Sequence, residues 1–289
     1  MTLGNLMFTT NPFAELSALI PVGVMQLYLI VMVLLVVGGT ILDMMHKKSA
    51  KYFFLNAEQE KKSAKRDVGF AEKIAILVKV ILIEGITSGE FKNVTRRLSH
   101  LLIMYGFIIF AVTTATMIFG YPAAATPAPS YLPQLWHIGA AMLAVGGYWF
   151  WFLIRVDVSA EGLSCWRVER ADLFILSLLA TSTFALLWSF TQNSGMAGWS
   201  TLFLILFIGS TVMLFGGVYW SKFAHMFFKP AAAFQKRVTR ADGSREGLPR
   251  EYDLTDPEVQ KLFPDIPEYM GKNPAYMGHG IKRESAKHY

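Results

Sequence analysis

Five long apolar runs set the pattern of this chain. They cover Val22–Leu42, Leu98–Phe119, Gln134–Ile154, Leu173–Phe190 and Trp199–Ser221, and no Asp, Glu, Lys or Arg falls inside any of them. Each is close to the roughly 20 apolar residues that a helix needs to cross the hydrocarbon core of a bilayer. In lipid, every backbone N–H and C=O must find its partner within the protein, so such a run spans as an α-helix. The expected fold class is therefore an all-α, polytopic membrane protein with five transmembrane helices.

The stretches between the runs read differently. Residues 44–66 are basic and polar, as in a helix at the membrane surface. Phe70–Ile86 is apolar but carries Glu72, Lys73, Lys79 and Glu84, and it is too short to span. It reads as a helix lying in the inner leaflet, or as a docking surface for a partner helix. The tail after Pro230 holds Pro249, Pro257, Pro264, Pro267 and Pro274, interleaved with Tyr252, Phe263, Tyr269, Tyr276 and Tyr289. Prolines at that spacing break long helices. The expectation is an extended strap on a soluble partner, with a mobile tail as the alternative. The chain thus divides into a periplasmic N-terminus (1–21), a five-helix membrane domain (22–228) with an interfacial segment (44–97), and an extended cytoplasmic tail (229–289).

Composition agrees with this division. The chain is 53% hydrophobic and 17% charged, against about 45–50% and about 25% in soluble domains. The basic residues settle the expected orientation. All 27 Lys and Arg lie in three segments: twelve in 44–97, three in 155–172 and twelve from Lys222 onward. Basic loops stay in the cytoplasm, which predicts the N-terminus outside and the C-terminus inside. The first span has no basic flank before it and Lys47–Lys48 after it, unlike a cleaved signal peptide. The basic residues flank spans, so lipid is the expected partner and nucleic acid is not.

Candidate chemistry is sparse. The single Cys165 cannot hold an iron–sulfur cluster, and there is no C-x-x-C-H for covalent haem. His279 and His288 lie in the tail, and His46 follows the first span beside Lys47 as a solvated side chain. His100 and His225 stand at the cytoplasmic ends of the second and fifth spans, at matched depth. Two imidazoles so placed can clamp a haem iron axially. Gly38-Gly39, Gly106, Gly146-Gly147 and Gly216-Gly217 either open a slot for the flat ring or only pack helices together. Arg96, Arg97, Arg155 and Lys222 are placed to meet haem propionates, or are the ordinary basic flank. His137 lies about 25 Å deeper, eighteen or so residues along a helix rising 1.5 Å per residue. It reads as a quinone contact, as packing, or as a ligand of a second haem with Met117 or Met196.

At R-R-L-S-H-L-L-I-M-Y-G-F (96–107) and S-K-F-A-H-M-F-F-K-P (221–230) the chain resembles the five-helix cytochrome b subunits of the respiratory nitrate reductase gamma type. It is closer to their sulfur-metabolism branch: membrane subunits of the quinone-interacting oxidoreductase, of the sulfite-reduction-associated complex and of membrane-bound heterodisulfide reductase. The segment F-W-F-L-I-R-V-D-V-S-A-E-G (150–162) is most similar to the adenylylsulfate reductase membrane anchor. The resemblance covers roughly residues 20–230. It implies haem b between His100 and His225, quinone as substrate, a cytoplasmic flavin or iron–sulfur oxidoreductase as partner, and a prokaryotic inner membrane. Members with two haems carry further histidines where Phe110 and Phe207 stand here, so a single haem is implied. The functional expectation is a membrane subunit passing electrons between that oxidoreductase and the quinone pool. A cofactor-free structural anchor is the alternative, and a small transporter fits less well, because polar rows inside the spans are few.

Overall fold

A computed structural model describes residues 8–264, apart from 90, 92, 158–161, 222–224, 246–247, 249–252 and 254. Regular structure among the described residues is helical throughout. The helices are α1 (Pro12–Leu16), α2 (Val22–Lys47), α3 (Ser49–Ser63), α4 (Phe70–Lys79), α5 (Val94–Gly120), α6 (Tyr131–Trp149), α7 (Leu173–Asn193), α8 (Ala197–Gly216), α9 (His225–Ala241) and α10 (Pro257–Leu262). A widened, π-type stretch prolongs α4 over Val80–Ile86 and α6 over Phe150–Ile154. Five helices, α2, α5, α6 with its extension, α7 and α8, are long and apolar enough to cross a membrane. The chain is a multi-pass membrane protein.

The five spans close into a ring in chain order, with α8 returning to α2. Apolar side chains gain little by leaving lipid for protein, so packing and polar pins hold such a ring. Between α5 and α6 glycines let the backbones touch, and the Ser99 hydroxyl donates to the Gly146 carbonyl at 2.9 Å. The Trp136 indole N–H donates to Thr114 Oγ1 at 2.9 Å. Thr181 donates to Ser210 at 3.2 Å between α7 and α8, and Tyr28 pairs with Thr211 between α2 and α8. Helix α2 is the most exposed of the five spans.

Rings fill the centre of the bundle at the end away from the basic segments. Phe110 stacks on Trp136 with centroids 5.2 Å apart, and Phe207 stacks on Trp188 at 5.7 Å. Phe110 and Phe207 meet edge to face. Helix α1 adds Phe13, which packs edge-on to both tryptophans. It is set by Asn11, whose side chain caps the helix through Phe13 N and donates to the Tyr121 carbonyl. Residues 8–21 therefore include a plug for that end of the bundle.

Two boundaries differ from expectation. The fifth span stops at Gly216, not Ser221: the glycine pair ends the helix, and Gly217 to Trp220 form turns. His225 consequently opens a separate helix, α9. The tail is not extended from its start, since α9 runs through Pro230 to Ala241. Pro230 is the sixth residue of that helix, past its first turn, and the helix continues although the proline lacks an N–H to donate; the three alanines after it favour helix. Helix α9 packs on α3, α4 and the 80–86 extension. Together they form a layer at the end of the bundle that carries the basic segments. Further on, Pro257 sits at the first turn of α10 behind an Asp256 cap.

Candidate functional site

Helix α5 begins behind Asn93, whose side chain caps the Arg96 N–H at 3.1 Å. This places Arg96, Arg97 and His100 on its first two turns, facing residues 86–91. His100 Nδ1 shares a 2.9 Å hydrogen bond with the Ser88 hydroxyl. The Phe91 ring lies against the imidazole, centroids 4.9 Å apart. On Phe91 rest two cations, Arg96 and, from α9, Lys229 with its Nζ 4.9 Å from the ring centre. His225 stands one turn before Lys229. The backbone thus brings the start of α9 to the same end of the bundle as His100, as its sequence position suggested. Lys222 lies outside the described residues. Arg97 donates through Nε to the Thr87 carbonyl at 2.7 Å.

The His100 half of a haem clamp fits in donor chemistry and not in packing, and the side chain of His225 lies outside the described residues. Metal-bound imidazoles use their second nitrogen in a hydrogen bond, and Ser88 supplies one at Nδ1, which makes Nε2 the nitrogen for iron. Yet Phe91 occupies the space beside His100 on the side from which α9 approaches. No group of three or more His, Cys, Asp or Glu gathers as a metal site among the described residues.

Arg155 is not a propionate contact. Its side chain is fully buried. One Nη donates to the Ser164 carbonyl at 2.6 Å, and the other to the Arg167 carbonyl at 2.6 Å and to Asp172 Oδ2 at 2.5 Å. The guanidinium also lies over the Trp151 ring. This arginine is spent on shaping the 155–172 loop.

His137 is buried, and both of its nitrogens are engaged. Nδ1 lies 2.7 Å from the Pro133 carbonyl, which can only accept, so Nδ1–H donates there. Nε2 then accepts from the Ser189 hydroxyl at 2.8 Å. Phe8 and Trp136 close on the ring edge-to-face. Of the three roles considered for it, this geometry is that of packing: the ring pins α6 to α7. Of the methionines considered with it, Met117 is wholly buried in the core and Met196 is exposed.

The glycines divide by their surroundings. A side chain on Gly106, Gly139 or Gly146 would meet backbone atoms of the neighbouring helix within 3.0 Å, and one on Gly147 would meet Leu179 at 2.6 Å. Gly39 abuts Val218 in the turn that follows α8. All of these close helix contacts. Gly38 and Gly216 do the opposite: Gly38 has nothing within 4 Å, and Gly216 only a Leu35 methyl at 4.0 Å. They line a groove of about 650 Å³ between α2 and the end of α8. Leu34, Leu35, Leu42, Met45 and Trp220 make its walls apolar. At the basic end stand His46 and Tyr219, rings edge to face at 5.7 Å.

Reading the sequence missed this groove. The glycine pairs were visible, but they pointed to a slot between the second and fifth spans. Only the split within two of the pairs, Gly38 and Gly216 open while Gly39 and Gly217 are in contact, moves the space to the first and fifth. Comparison with family models, curated proteins and solved structures finds no match to this chain, so its functional reading rests on the geometry described above.

Proposed function

We propose that the chain is the membrane subunit of a quinone-linked redox complex. In this reading the N-terminus is outside and the basic end faces the cytoplasm of a prokaryotic inner membrane. A flavin or iron–sulfur oxidoreductase docks on the surface formed by α3 and α9, and its electrons reach quinone in the α2–α8 groove. The groove is the observation that carries the proposal. Its volume lies in the range of small-ligand pockets, and it combines apolar walls with a few convergent polar groups. Two glycines keep it open where packed helices would close it. A quinone ring between Leu35, Gly38 and Gly216 would present a carbonyl to His46 as hydrogen-bond donor, next to water that supplies protons. Among the described residues the buried carboxylates of the spans, Asp43 and Asp172, stand at the basic ends and make no row for a proton relay.

Binding of menadione to the purified chain tests this directly. Trp220 lines the groove, so its emission should be quenched saturably. The saturable part should vanish in Trp220→Phe and in Gly38→Leu, which fills the groove. In His46→Ala affinity should fall about tenfold, the equivalent of one hydrogen bond of about 1–1.5 kcal/mol. Quenching that is linear and identical in all four proteins sinks the quinone site and leaves a structural anchor.

Haem b between His100 and His225 is the second reading, favoured by the Ser88 bond to Nδ1. It requires Phe91 to leave the imidazole face, and a reduced-minus-oxidised spectrum of the same preparation decides it. One b-type haem per chain, lost in His100→Ala, establishes it; a featureless spectrum removes it.

Orientation has its own test. A membrane-impermeant maleimide added to whole cells should label a Ser130→Cys variant at once. It should reach the native Cys165, in the 155–172 loop, only after the membrane is opened. The reverse order would invert the topology and remove the cytoplasmic partner.

A further inference from the structure

Residues 70–93 connect the surface helices to α5, and their contacts fix how deep they go. The Tyr105 hydroxyl donates to the Ile86 carbonyl at 2.8 Å. Tyr105 is eleven residues into α5, about 16 Å along its axis at 1.5 Å per residue. A helical side chain leans back toward the N-terminus by about a turn. Ile86 therefore sits about 11 Å below the start of the span, deeper than Arg97. Ser88 lies shallower, its hydroxyl meeting His100 five residues nearer the start of α5, as expected of a chain that has begun to turn back.

The chain reverses there. Ser88 is fully buried and adopts a left-handed backbone, φ 48°. Gly89 follows, and a side chain on it would lie 2.7 Å from Ile83 Cγ2. Gly89 N–H donates to the Ile83 carbonyl at 2.7 Å. A helix end leaves carbonyls without intrahelical partners, and irregular backbone at membrane depth persists only where protein satisfies it. Here α5 supplies the partners: Arg97 donates to the Thr87 carbonyl and Tyr105 to the Ile86 carbonyl, and His100 pairs with the Ser88 hydroxyl.

The opposite end of the segment is built for water. Arg66 grips Glu72 through two nitrogens, at 2.6 and 2.9 Å, both residues exposed. Between the two ends Ile74, Val78, Ile81 and Leu82 lie uncovered at i, i+4, i+7 and i+8, each about half exposed. They form one apolar stripe that the described residues leave about half uncovered. Most of the segment's charges, Glu72, Lys73 and Lys79, fall in its first ten residues, with Glu84 beyond them.

We propose that Phe70–Ile86 is a re-entrant half-helix. It enters the leaflet on the basic side obliquely and rests Ile74, Val78, Ile81 and Leu82 on acyl chains. It turns at Ser88–Gly89 and leaves the membrane along α5. The occupant of the stripe is lipid, because the stripe continues the lipid-facing surface of a span to which its deep end is bonded. The inference is independent of any redox role.

Nitroxide accessibility of the full chain in phosphatidylcholine–phosphatidylglycerol vesicles tests it. The label is placed on single cysteines at Lys73, Ile74, Val78, Ile81 and Leu82 in a Cys165→Ala background. Lys73→Cys should be relaxed mainly by a water-soluble nickel chelate. The ratio of oxygen to nickel accessibility should climb steadily from 74 to 82. Equal depth at 74 and 82 would mean a helix lying flat and overturn re-entry. Nickel access at 81 and 82 matching that at 73 would mean a stripe in water awaiting a protein, and would overturn the lipid assignment.

Discussion

Replacing Arg155 by leucine is expected to destabilise the protein by about 3–5 kcal/mol, the cost of breaking one partner out of a buried ion pair. Asp172, 6% exposed, would lose the guanidinium it is paired with. The carbonyls of Ser164 and Arg167 would lose their donors as well. Since membrane proteins often unfold irreversibly, the readout is the half-life of the monodisperse protein in detergent at fixed temperature. Arg155→Leu should shorten it by orders of magnitude. The Arg155→Leu/Asp172→Leu pair should recover part of the loss, because no uncompensated charge then remains. A single variant as durable as the parent would contradict the buried pair. The effect reaches beyond stability: the loop held by Arg155 displays Trp166, 90% exposed, together with the exposed Val168. Aromatic side chains of this kind anchor protein interfaces. Under the proposed orientation they face the cytoplasmic partner, so complex assembly should weaken along with the fold.

The spans were legible because a bilayer imposes a length and an apolar content that few other contexts demand. Their ends were less so. Residues 217–221 read Gly-Val-Tyr-Trp-Ser, and hydropathy continues through them although the helix has already stopped. The tail differs in the other direction: its first residues read as part of the proline-broken stretch that follows, while the alanines after Pro230 carry α9 onward. For the site, register along helices was readable and packing between elements was not. The common end of His100 and α9 follows from counting residues. Ser88 and Phe91, which decide what surrounds His100, come from a segment outside the spans. His137 was visible as a buried histidine, but its partner Ser189 is 52 residues away on another helix. Arg155 looked like a basic flank because Asp172, seventeen residues on, gives no local sign of pairing.

One substitution, made at two glycines, should move stability in opposite directions. At Gly139, alanine is expected to cost about 1–3 kcal/mol or more, as overpacking of a filled contact does. Its methyl would lie 2.7 Å from Phe110 N and 3.1 Å from Phe110 Cα, against ordinary carbon contacts of about 3.5–4.0 Å. Those atoms are backbone and cannot swing aside, so α5 and α6 must separate along their length. The Trp136–Thr114 and Ser99–Gly146 bonds and the stack of Phe110 on Trp136 bridge the same two helices, so they loosen together. At Gly38 nothing lies within 4 Å. Alanine there meets open groove, and its better helix propensity, up to about 1 kcal/mol, should leave the protein as stable or more so. Thermal midpoints of the two variants in one detergent make the comparison, with Gly139→Ala below the parent and Gly38→Ala at or above it. Equal midpoints would mean that α5 and α6 do not approach as closely as Gly106 and Gly139 allow. A loss at Gly38 would mean that the groove is closed in the folded protein. The first outcome bears on the fold alone; the second removes the space on which quinone binding depends.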